Sequence, residues 1–130
     1  MNNYYNTIRP LNANFKNCIV YGSGETEIGL DSPSTGGTNY FIYHFDHCIL
    51  KVGDNFGTTD ITHYSAILRN SDPNFHDVIN NDYEPDSTSS PAIDAGDPAV
   101  LSIDPVLSTD LKGRPRPQGI NPDLGAYERR

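Results

Sequence analysis

Long apolar runs, basic residues and cysteines are all scarce in this chain. No stretch approaches the run of about 20 apolar residues that a membrane-spanning helix needs, and no basic-then-apolar leader follows Met1, so membrane insertion is not expected. Nine Lys and Arg stand against seventeen Asp and Glu, a net charge of −8. Apart from Arg114, Arg116, Arg129 and Arg130 the basic residues are scattered, which argues against nucleic acid as a partner. Two cysteines, Cys18 and Cys48, cannot supply a disulfide framework or a four-ligand zinc site without His or carboxylate partners at tight spacing. With 35% hydrophobic residues in 130 positions, the chain fits one domain with a modest core. Met1 leads straight into Asn2, Asn3, Tyr4 and Tyr5, which reads like the interior of an ordered protein. The expectation is therefore a segment of a longer protein, with any export signal upstream.

What is present is a repeat. The run Leu11-Asn12-Ala13-Asn14-Phe15-Lys16-Asn17-Cys18-Ile19-Val20 precedes Phe41-Ile42-Tyr43-His44-Phe45-Asp46-His47-Cys48-Ile49-Leu50 by thirty residues, with Phe, Cys and Ile at identical offsets. Residues 11, 13 and 15, like 41, 43 and 45, are apolar or small at period two, the mark of a half-buried strand. A two-residue corner, Lys16-Asn17 or Asp46-His47, separates each from a second β-rich run. Neither strand buries its face alone, so equivalent strands are expected to stack in parallel register at about 4.8 Å. Phe15 then lies against Phe45 and Cys18 against Cys48, while Lys16 and Asp46 meet outside as a charge pair worth roughly 0.2 to 1 kcal/mol. Parallel neighbouring side chains make a disulfide torsion awkward, so buried thiols are expected. Gly22 to Thr38, with Asp31-Ser32-Pro33 and Gly36-Gly37, reads as a projecting loop, and Gly53 to Asp60 as another. Ile61 to Leu68 reads as a third strand, and no amphipathic helix is evident.

From Asp72 onward prolines at 73, 85, 91, 98, 105, 115, 117 and 122 forbid long regular elements. The ordered motifs Asp72-Pro73-Asn74-Phe75, Asp82-Tyr83, Ser90-Pro91-Ala92-Ile93-Asp94-Ala95-Gly96-Asp97, Asp110-Leu111-Lys112-Gly113-Arg114-Pro115-Arg116 and Asp123-Leu124-Gly125-Ala126-Tyr127-Glu128 follow. This order resembles the choice-of-anchor domain family, which closes right-handed β-helix proteins of bacteria in the pectate-lyase-like superfamily; Asn17-Cys18-Ile19 is similar to that family's rung pattern. The resemblance and the repeat together predict an all-β right-handed parallel β-helix solenoid. Its last two to three rungs would occupy residues 1–80, and a loop-rich cap of the same domain residues 81–130. The resemblance also implies a bacterial, extracellular or cell-surface setting. A cap must cover exposed apolar core and unpaired strand groups. Asp94, Asp97, Asp110, Arg114, Arg116, Asp123, Tyr127 and Glu128 are the expected structural residues, the carboxylates accepting from loop amides or arginine.

Chemistry is thinly signalled. Gly22-Ser23-Gly24 lacks the five-residue nucleophile elbow. Asp54-Asn55-Phe56-Gly57 and Gly22-Ser23-Gly24-Glu25 complete no calcium loop, leaving calcium as the one cofactor to consider and none as the expectation. His44 and His47, three apart on a strand, point to opposite faces unless the corner bends them together, so structural histidines are expected and no metal site. Tyr21, Glu25, Glu27, Asp31 and Tyr40 are candidate ligand contacts for a polysaccharide; Tyr4, Tyr5, Tyr21, Tyr40 and Tyr64 offer faces on which sugar rings could stack, but core or rim packing is the favoured role for these tyrosines. No catalytic residue is assigned. The first functional expectation is thus a non-catalytic structural or recognition segment; the alternative is the terminal fragment of a polysaccharide lyase or glycoside hydrolase. An open first rung would also favour self-association at the N-terminal end.

Overall fold

A computed structural model describes residues 9–32, 40–86 and 88–129. Tyr4, Tyr5, Pro33 and Gly36-Gly37, singled out above, lie outside these residues. Among the described residues there are six strands: β1 (Leu11–Lys16), β2 (Ile19–Val20), β3 (Phe41–Leu50), β4 (Tyr64–Arg69), β5 (Phe75–Asp77) and β6 (Asp82–Pro85). Short 3₁₀ turns occupy Val78–Asn80, Pro98–Ser102 and Pro105–Ser108. In each, an aspartate just before the turn accepts a hydrogen bond from a backbone N–H within it, Asp77 from Asn80, Asp97 from Ala99 and Asp104 from Val106. No helix among the described residues is long and apolar enough to cross a membrane.

The thirty-residue repeat translates directly into register. β1 and β2 run parallel to β3 with Leu11 beside Phe41, Phe15 beside Phe45, Lys16 beside Asp46 and Ile19 beside Ile49. On the other side of β3, β4 pairs parallel with Phe45 beside Tyr64 and Ile49 beside Leu68. Like side chains therefore stand over like. The Phe15 and Phe45 rings stack with centroids 4.5 Å apart, and Phe45 stacks on Tyr64 at 5.9 Å. Lys16 Nζ reaches Asp46 Oδ2 at 2.8 Å. The corner also has a clear physical origin. Asn17, His47 and Ala66, which are equivalent in the three strands, all adopt left-handed backbone at φ 52, 50 and 49. One left-handed residue breaks the period-two alternation and turns the strand.

That bend gives the sheet two apolar faces. On one, Phe45, Cys48, Leu50, Val52 and Tyr64 pack with Ile28 and Phe56 from the loops. Arg69 holds the second of these loops by donating to the Phe56, Gly53 and Asp54 carbonyls. On the other, the Ile19, Ile49 and Leu68 row meets Ala92, Ala95 and Leu124 of the C-terminal segment. Ile49, Ala92 and Leu124 are essentially inaccessible, and burying a Leu of this kind stabilises by roughly 1.5 to 3 kcal/mol.

The right-handed parallel β-helix expected from the repeat is not what the chain forms. The described strands make one small open four-stranded parallel sheet, β1 and β2 beside β3 and β4 beyond it, plus a separate two-stranded antiparallel ladder of β5 and β6. A solenoid needs several strands in every turn, so that each wall stacks on itself. Here only the wall of residues 11–20, 41–50 and 64–69 stacks; the described residues between those stretches are loop. Their Gly, Ser, Thr and Asp supply turns and no alternating apolar row that a second wall would require. The C-terminal segment accordingly lies against a face of the sheet instead of plugging the end of a coil.

Candidate functional site

Two neighbouring depressions share Tyr21, Phe75 and Tyr83 and form one open cleft beside the sheet. Its larger part, about 680 Å³, adds Gly22, Ser23, Asp72, Asn74 and Val78, and the smaller reaches Ile19, Leu124 and Tyr127. Tyr21 follows β2 and leaves the sheet where the aliphatic row ends; its ring carries Lys51 Nζ at 5.1 Å on one side. Phe75 and Tyr83 come from the antiparallel ladder and meet edge to face, centroids 5.4 Å apart at 90°. Asp72 Oδ1 accepts from the Asn74 backbone N–H at 2.9 Å, and Asn74 Nδ2 donates to the Ser89 carbonyl. Asp72 and Asn74 at the polar rim are thus held by hydrogen bonds to the chain around them.

The residues expected to contact a ligand do not gather into one set. Tyr21 lines the cleft. Glu25 lies with Lys51, Asp54 and Asn70 in a separate shallow depression of about 430 Å³. Glu27 curls back so that its Oε1 accepts from Gly24 N–H at 2.6 Å, and a Cβ on Gly22 would sit 2.5 Å from that oxygen. Its carboxylate thus closes a turn. Asp31 and Tyr40 are exposed on either side of the undescribed stretch.

The C-terminal carboxylates form a dense hydrogen-bonded network. Asp110 accepts from Lys112, Arg114 and Glu128 N–H groups and from Arg114 Nε at 2.7 Å. Asp123 accepts from Asp94 and Arg129 N–H groups. Glu128, wholly buried, accepts from Gln118 and Asp123 N–H groups and faces Arg116 Nε at 3.3 Å. Asp94 accepts from Asn121, Asp97 from Ala99, and Lys112 lies over the Tyr127 ring at 5.6 Å. Burial pushes the Asp110 carboxyl up, but the amide and Arg114 hydrogen bonds outweigh it and hold it below the usual carboxylate range. For Glu128 burial wins, and its carboxyl is raised.

Three residues that matter here escaped the sequence reading as site residues: Phe75, Tyr83 and Glu84. Glu84 is 1% exposed and receives both Lys112 and Arg114, the latter at 2.9 Å. Its only sequence signal is alternation, Asp82 and Glu84 flanking an exposed Tyr83 at period two.

Asp46, His47 and Asp97 place one ligand atom each within 4.8 Å of one another. His44 is not part of this group. The Asp46 carboxylate already accepts from Lys16, Ser65 and His47. Two carboxylates and an imidazole suit a borderline transition ion better than calcium, which takes six to eight oxygens.

No family model matches the chain, and neither a curated protein nor a solved structure matches it.

Proposed function

We propose that this chain is a non-catalytic recognition segment of a larger bacterial surface or secreted protein, and that it holds a neutral glycan in the cleft of Tyr21, Phe75 and Tyr83. The cleft carries this reading. Aromatic faces offer apolar platforms of the size of a sugar ring, and a few polar groups at the rim, here Ser23 and the hydrogen-bonded Asp72 and Asn74, pair with hydroxyls. A net charge of −8 disfavours acidic polysaccharides and leaves neutral chains as the matching class. The resemblance of residues 72–128 to choice-of-anchor domains supports the surface setting. Titration calorimetry with neutral gluco- and galacto-oligosaccharides tests this. Binding is expected, with Tyr83→Ala weakening it about tenfold, the loss of one stacked ring. Absence of heat with every neutral oligosaccharide, or tighter binding of polygalacturonate, would reject it.

One observation favours a second reading, the terminal fragment of a polysaccharide lyase or glycoside hydrolase. Glu25, Asp54 and Lys51 line one depression, the donor types that proton abstraction or glycosidic hydrolysis employs. Release of unsaturated uronate or of new reducing ends, abolished by Lys51→Ala, would decide for it.

A further inference from the structure

We propose that Cys18 and Cys48 form a peroxide-reactive dithiol, in which Cys18 is oxidised first and Cys48 closes a disulfide onto it. The geometry comes from the repeat. Each cysteine follows the left-handed corner residue of its strand, and the flanking pairs, Lys16 with Asp46 and Ile19 with Ile49, are in parallel register. Cys18 and Cys48 therefore sit at equivalent positions on adjacent strands, a backbone spacing of about 4.8 Å that falls within the Cα range disulfides span. Both side chains pack in the same apolar cluster. They are free thiols in this structure.

The pair is asymmetric in access. Cys48 is 0% exposed and hydrogen bonds inward to the Phe15 and Asp46 carbonyls. Cys18 is half-buried and lines an adjoining depression of about 340 Å³ together with Lys16, Val100, Leu107 and Arg116. A small polar oxidant thus reaches Cys18 and not Cys48.

The reaction balances with hydrogen peroxide as the named oxidant. The Cys18 thiolate attacks one peroxide oxygen; an S–O bond forms, the O–O bond breaks, and hydroxide departs, leaving a sulfenic acid. Cys48 sulfur then attacks that sulfur. An S–S bond forms, the S–O bond breaks, and the departing hydroxide takes the Cys48 proton as water. Two thiols lose two electrons and two protons, and peroxide becomes two waters.

The test uses the full chain, reduced, desalted and treated with hydrogen peroxide. No Lys or Arg lies between residues 17 and 51, so trypsin leaves both cysteines on one peptide, whereas cleavage after Glu25 or Glu27 separates them. The expected results are loss of two hydrogens from the monomer mass and an internally linked Cys18–Cys48 pair that reductant releases. In Cys48→Ser, Cys18 should instead yield a dimedone adduct. In Cys18→Ser, Cys48 should react at least about tenfold more slowly. Retention of both thiols by the wild-type chain, linkage only between molecules, or equal reactivity of Cys48 in Cys18→Ser would overturn the proposal. The wild-type measurement stands even where a variant fails to fold.

Discussion

Single residues set the bends on which the rest is built. Asparagine tolerates left-handed backbone, and histidine does so more often than most residues; Asn17 and His47 use that at the corner, but Ala66 does not share the advantage. Its side chain is exposed, so glycine there removes strain without opening a cavity. Ala66→Gly is expected to stabilise the fold by about 1 kcal/mol, against the usual trend for glycine in a strand. Urea unfolding at matched conditions measures it, and a lower midpoint for the variant would contradict the strain argument. Asn17 and Asn70 also show a shared device. Each is left-handed, and each carboxamide pairs with both the N–H and the C=O of one backbone residue, Asp97 and Val52 respectively. The side chain stands in for a missing strand neighbour.

Between elements, Asn17 is the hinge pin. Besides its carboxamide pairing, its carbonyl accepts from Gly125 N–H at 2.8 Å, and Gly96 packs so closely that a Cβ would lie 2.9 Å from Asn17 Nδ2. These bonds fasten the corner of the sheet to two loops of the C-terminal segment, beside the Leu124 and Ala92 contact. Asn17→Ala removes a two-bond pairing at a buried site and leaves the Asp97 N–H without this partner, while the Asp97 carbonyl keeps the Val100 N–H. A loss of about 2 to 3 kcal/mol is expected. Hydrogen exchange should show protection lost first at Gly96, Asp97 and Gly125, while β3 amides keep theirs. Uniform loss across β3 would mean that the sheet and the C-terminal segment are one unit with no separable seam.

For the whole molecule, acid is the revealing variable. Burial pushes the Asp46 carboxyl up, but hydrogen bonds from Lys16, Ser65 and His47 outweigh it and hold it well below the usual carboxylate range. A carboxyl depressed in the fold stabilises it fully above the unfolded value of about 4 and loses that contribution as pH falls through the folded value. Asp110 acts in the same sense, whereas Glu128, raised in the fold, acts oppositely and relieves part of the loss. The urea midpoint should therefore fall between about pH 6 and pH 3. Asp46→Asn should be less stable at the higher pH and should show a smaller fall; a fall equal to that of the wild type would remove Asp46 as a contributor. The same comparison shows where sequence reading succeeds. Offsets of thirty residues were enough to place Phe15 on Phe45, Lys16 on Asp46 and a bend at Asn17 and His47, because register and alternation are local, periodic properties written along a strand. Whether the stacked wall closes into a coil depends on what the intervening loops do, and loops of Gly, Ser and Asp carry no period to read. Nor does the chain announce that Phe75 and Tyr83 arrive beside Tyr21, or that Glu84 receives Lys112 and Arg114. Those meetings join residues far apart in the chain, brought together by the apolar contact of Ile19, Ile49 and Leu68 with Ala92 and Leu124 and by the Asn17 bonds to Asp97 and Gly125. Hydrophobic burial is non-directional, so sequence by itself fixed which strands align, and only tertiary packing decided which surfaces they bring face to face.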